Sequence, residues 1–177
     1  PTLSPSMSGL RIIPAGFSTI NYEVIFSNKN VVPAIFNSIF ITGIGTIINM
    51  LLTMLAAYVL TRPNLVGKKI LMAFFIVMML FDPGIVPEYM VIRKLGLMGT
   101  KWSVILSQAC NVYYLVIMMR YFESVPKSLC EAATIDGAGH LNILFHVMAP
   151  LSKAGIATLT MFYGVVRWNE YYRSGIY

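Results

Sequence analysis

Between Pro33 and Leu60 the chain carries no charged residue at all. A run of that length and composition is hard to place in a water-soluble domain, because a bilayer-spanning helix needs only about 20 consecutive apolar residues. The rest of the chain repeats the theme: it is 57% hydrophobic and only 11% charged, whereas soluble domains carry about 25% charged residues. The sequence therefore predicts an all-α membrane protein, a polytopic bundle of transmembrane helices. A large soluble domain beside those spans does not fit in 177 residues.

Four spans are readable, at about 33–60, 70–92, 102–122 and 150–166. In the first, Gly45, Asn49, Thr53 and Ala57 recur at helical spacing, as do Ser38, Thr42 and Thr46. Small residues on one line let helix backbones approach closely in the bilayer. Pro33 suits a first helical turn. The second span is expected to be interrupted twice, at Asp82-Pro83-Gly84 and again at Pro87-Glu88, because Pro removes a backbone donor. The third carries Gln108, Cys110 and Asn111 among apolar residues, and Pro150 is expected to open the fourth. Residues 1–32, rich in Pro, Ser, Gly and Asn, read as a loop with a short interfacial helix around Tyr22 to Phe26.

The formal charge of +6 does not indicate nucleic acid, because the basic residues fall in ones and twos without a stripe. The positive-inside rule gives no orientation. Cys110 and Cys130 lack the spacing of a metal or redox site and read as free thiols. His140 and His146, six apart, do not share a helix face and have no partner ligands, so no metal is expected. Gly67-Lys68-Lys69 lacks the rest of a phosphate-binding loop, no catalytic constellation is present, and no cofactor is expected.

The long loop at 123–149 holds the most specific pattern. Ser128-Leu129-Cys130-Glu131 has the form of a capping box, with Ser128 as N-cap, and Pro126 precedes it. A short helix over about 129–135 is expected, then a turn at Asp136-Gly137, then a second short helix over about 141–148. The order Glu131-Ala132-Ala133, three residues, Gly137, then Pro150 resembles the signature loop of permease subunits of binding-protein-dependent ABC importers. Val147 and Ala149 stand where that family usually has Ile and Leu.

Other stretches resemble the carbohydrate-uptake branch of the same family. They include Asn37-Ser38, Ala57-Tyr58, Pro83-Gly84, Leu95-Gly96-Leu97, Val125-Pro126 and Trp168-Asn169. The resemblance covers essentially the whole chain. It implies a sugar or oligosaccharide substrate and a multi-pass location in the bacterial cell membrane. It also implies partnership with ATP-binding cassette ATPase subunits, a second permease subunit and an extracytoplasmic solute-binding protein. The ATPase-docking residues so implied are Glu131, Ala132, Ala133, Asp136, Gly137, Ala138 and Pro150, with the loop on the cytoplasmic side. Family members have six spans, so the sequence is expected to be a fragment without the first and last.

Asp82, the acidic residue within an apolar span, is with Pro83 and Gly84 a candidate pathway or gate element. The same carboxylate fits an ion-coupled secondary transporter, which leaves the loop spacing as coincidence. A membrane-bound transferase acting on lipid-linked sugars needs a carboxylate cluster or metal site that the sequence does not show. Trp168, Tyr171 and Tyr172 read as a membrane-interface belt.

Overall fold

A computed structural model describes residues 20–63, 65–81 and 83–177. Among these residues every regular element is helical. The chain divides into two compact units, 1–39 and 40–177.

In the first unit, α1 (Ile20–Ser27) supplies the short helix expected near Tyr22, with Tyr22 and Phe26 exposed. Helix α2 (Val31–Thr61) follows, within one or two residues of the expected first span. At 1.5 Å per residue it is about 46 Å long, ample for a hydrocarbon core of about 30 Å. Pro33 sits in its first turn. Within the second unit Gly45, Asn49, Thr53 and Ala57 are all buried, which makes their line a packing face.

Helix α3 (Lys68–Leu80) has no buried residue and packs against α6 (Val112–Glu123). It ends at Phe81, and α4 (Ile85–Lys94) begins after Gly84, whose φ is +74°. The expected break is therefore present at Pro83 and Gly84, while Asp82 lies outside the described residues. The second expected break is not there. Pro87 is the third residue of α4, inside the first turn, where its missing N–H would have had no intrahelical acceptor.

The third span also departs from expectation. It is two helices, α5 (Lys101–Ser107) and α6, bent by 57° around residues 108–111. Asn111 is the reason α6 starts where it does. Its side-chain oxygen accepts from the N–H groups of Tyr113 and Tyr114 at 2.9 and 3.3 Å, an N-cap set within an apolar run. Cys110 accordingly lies in the break and not in a helix.

After α7 (Lys127–Ile135) a helical run covers His140–Leu151. It comprises α8 (His140–Asn142), a π-helical segment (Ile143–Met148) and α9 (Ala149–Leu151). Pro150 ends this run instead of opening the next span, which is α10 (Lys153–Trp168); the segment Lys153–Ile176 is bent by 89° from the run at Ser152. Pro150 cannot donate to the preceding turn, and the wider π turns just before it absorb the change in hydrogen-bond register. Helix α11 (Tyr172–Ile176) closes the described chain.

The core of the second unit gathers Met54, Ala57, Leu115, Met118, Phe122, Ile143, Leu144 and Leu159 from α2, α6, the π segment and α10. Gly155 brings α10 against α6: a Cβ there would fall on the ring of Tyr121.

Candidate functional site

The 123–149 loop folds as a helical hairpin, with α7 packed against the π segment. Its first helix starts one residue after Pro126, which is the N-cap. Ser128 is the second residue of α7 and makes no side-chain cap hydrogen bond, so the expected capping box does not form. Proline explains the shift: its fixed φ, −58° here, already matches helical geometry and starts the helix two residues earlier.

The far end of α7 closes as the sequence predicts. Gly137 has φ +79°, a left-handed conformation that only Gly adopts without strain. Around it the Ala138 N–H donates to Ala133 O at 2.9 Å and the Gly137 N–H to Thr134 O at 3.0 Å. These two bonds form a Schellman turn, satisfying carbonyls that the helix end would leave open. Ala133 and Ala138 both pack against the core beneath.

The docking residues named from the sequence thus divide into two sets. Ala133 and Ala138 face inward with Cys130, whose Sγ donates to Met148 Sδ at 3.3 Å, and they seat the hairpin on the bundle. Glu131, Ala132, Asp136, Gly137 and Pro150 are exposed. The exposed face carries large apolar side chains that sequence reasoning did not single out: Leu129, Ile135, Leu141 and Phe145, with Ile135 86% exposed. Their signal was available as the complement of the inward set on two amphipathic helices. Among the described residues the Glu131 carboxylate makes no hydrogen bond or ion pair.

Beside Glu131 opens a cavity of about 470 Å³. Its wall includes Tyr58 at the end of α2, Arg62 from the connector after it and Lys68 at the start of α3, and Lys127, Glu131 and Met148 from the hairpin. Arg62 is held in place: its Nη2 bonds the Tyr58 hydroxyl and lies 2.9 Å from His140 Nδ1. The guanidinium also sits 4.5 Å from the Tyr58 ring centroid. The short basic connector and the hairpin therefore meet at one end of the bundle. An outward apolar face, the exposed Glu131 carboxylate and the cavity with Arg62, Lys68 and Lys127 in its wall lie together at that end.

Pro83 and Gly84, the describable part of the candidate gate, are exposed. No geometry brings them to the hairpin.

Two polar clusters were missed. In the first, Arg173 bridges Glu88 (Nε–Oε1 2.9 Å) and Glu170 (Nη1–Oε2 3.0 Å), and Gln108 donates to Glu170 at 3.1 Å. In the second, Arg167 is 2% exposed within α10.

A family model for the binding-protein-dependent transport system inner membrane component matches residues 34–172. The chain belongs to this family. It is 40% identical over 166 residues to the polygalacturonan/rhamnogalacturonan transport system permease protein YtcP of Bacillus subtilis (strain 168), covering 94% of this chain and 58% of that protein. It is 31% identical to the melibiose/raffinose/stachyose import permease protein MelC of the same organism, covering 90% of this chain and 60% of that one. Among solved structures, it is similar to a chain of a bacterial ABC transporter involved in the import of the acidic polysaccharide alginate. The TM-score is 0.90 at 29% identity, over 97% of this chain and 61% of the other. The chain thus spans about three fifths of the length of these relatives. With its family of inner membrane components and the long apolar α2, it is a membrane protein with an all-helical permease fold.

Proposed function

We propose that this chain is a permease subunit of an ABC importer, that it forms half of the translocation pathway for a sugar or oligosaccharide, and that it couples to an ATPase through the 123–149 loop. The observation that carries the reading is the hairpin's outward face. Leu129, Ile135 and Leu141 are left in the open, and Glu131 is exposed and caps nothing, while Cys130, Ala133 and Ala138 seat the hairpin on the core. Exposed apolar side chains beside charged groups are what a docking surface presents.

ATP chemistry belongs to separate ATP-binding cassette subunits in this reading. A second permease subunit completes the pathway, and an extracytoplasmic solute-binding protein delivers the sugar. The chain crosses the bacterial cell membrane several times, by α2, by the bent pairs α3–α4 and α5–α6 and by α10, with the hairpin and the connector after α2 in the cytoplasm. The break between α3 and α4 at Pro83 and Gly84 borders the pathway or a neighbouring helix, as broken helices do in transporters. A carbohydrate substrate is supported by the names of the relatives, YtcP and MelC, and by the alginate importer.

Uptake of labelled oligosaccharides by vesicles holding the whole assembly tests this. Uptake that needs ATP and the solute-binding protein is expected. Uptake driven by an ion gradient without ATP would replace the reading with a secondary transporter.

A further inference from the structure

Two residues of α10, Tyr163 and Arg167, lie four apart and so on one face of the helix. Opposite them on α2 stand Thr53 and Asn49, also four apart. The pairs meet as two rungs. Thr53 Oγ1 and Tyr163 Oη share a hydrogen bond of 2.8 Å, and Arg167 Nη2 donates to Asn49 Oδ1 at 2.9 Å.

Each rung continues into the broken third span, on opposite sides of the break. Tyr163 Oη accepts from the backbone N–H of Asn111, the residue that caps α6, at 3.4 Å. Arg167 donates from Nη1 to Val104 O at 2.6 Å and from Nη2 to Ile105 O at 2.7 Å. Those carbonyls belong to the last turn of α5, where the break removes their backbone donors, and Val104 O also accepts from the Ser107 hydroxyl at 3.1 Å. A helix C-terminus carries partial negative charge, which supplies a counterpart for a buried cation. No carboxylate pairs with Arg167 among the described residues. Gly45 makes the space: a Cβ there would lie 3.1 Å from Arg167 Nε. A charge so enclosed is costly unless its partners are specific.

We propose that Arg167 and Tyr163 are positioning residues that set the break at 108–111, Arg167 fixing its α5 side and Tyr163 its α6 side. A cavity of about 220 Å³ at the break is lined by Asn49 and Tyr163, one from each rung, and by Gln108, Asn111, Tyr114 and Arg173. The guanidinium fork reaches two carbonyls and an amide at once, which the single ammonium of Lys does not reproduce. The proposal goes beyond the importer reading and depends on it only for the uptake measurement below.

The test places spin labels on either side of the break, at Trp102→Cys and Tyr113→Cys, both exposed, in a Cys110→Ser, Cys130→Ser background. The protein is purified from membranes in its full assembly, and the label-to-label distance distribution is measured. A single narrow distribution is expected for the parent, and a broadened or shifted one for Arg167→Met and for Tyr163→Phe. Asn49→Asp, which keeps an acceptor for Arg167, is expected to leave the distribution narrow. Tyr163→Phe, which removes the hydrogen bonds to Thr53 and Asn111, is also expected to lower uptake about tenfold. An unchanged distribution in Arg167→Met and Tyr163→Phe overturns the proposal. Should Arg167→Met fail to reach the membrane, Tyr163→Phe decides alone: it removes one oxygen and keeps the ring that packs edge-on against Tyr114. A parent without ATP-driven uptake would contradict the importer reading and leave the distance result standing.

Discussion

Arg62 reaches across 78 residues of sequence to bond His140, its Nη2 2.9 Å from Nδ1. This contact ties the connector after α2 to the second arm of the hairpin, so both lie at the same end of the bundle. The basic connector is thereby part of the surroundings of the hairpin and not a remote loop.

Sidedness follows from that contact. Val66 and Ile135 are 94% and 86% exposed, one in the connector and one on the hairpin. Single cysteines at Val66→Cys and Ile135→Cys, in a Cys-free background, are expected to react with a membrane-impermeant thiol reagent from the same side only. Labelling from opposite sides would contradict the shared end.

Gly155 is expected to tolerate no side chain. A Cβ at this position falls on the Tyr121 ring of α6. Overpacking of this kind costs about 1–3 kcal/mol. Gly155→Ala should lower the thermal midpoint of the purified protein, whereas Gly43→Ala, with nothing within 4 Å of the added Cβ, serves as control. Equal midpoints for the two variants would refute the close approach.

How much of this was legible in the sequence depended on whether the physical signal was local. The first span was readable because a charge-free run needs no tertiary context, and Gly137 because the Asp136-Gly137 turn announces a left-handed residue. The break at Pro83 and Gly84 was readable for the same reason. The break at 108–111 was not: Asn111 caps α6 from within an apolar stretch that reads as one continuous span. Pro150 looked like the first residue of a helix, and the π turns that let it end one leave no mark in the sequence. Arg167 carries no sequence signal that marks it as buried. Its partners are backbone carbonyls of Val104 and Ile105, which no residue identity discloses.

Within the hairpin, Ser128 and Glu131 are expected to be silent in folding. Neither caps α7, and both are exposed. Ser128→Ala and Glu131→Ala should each change stability by no more than about 0.5 kcal/mol, the range for surface positions, rather than the roughly 1 kcal/mol of a lost N-cap. Thermal unfolding checks this, and a loss of cap size in either variant would restore the capping box.

Gly137 separates docking from folding most cleanly. An added side chain there meets nothing within 4 Å, so its cost is conformational, about 1 kcal/mol for φ near +79°. That cost falls on the turn that orients α7 and not on the membrane spans. The decisive measurement is the amount of ATPase retained when the assembly is purified through this subunit, parent against Gly137→Asp. If the hairpin is the docking element, Gly137→Asp reaches the membrane at parental levels and loses most of its ATPase. Stoichiometric ATPase with full sugar-stimulated hydrolysis in Gly137→Asp would contradict a docking role for this loop.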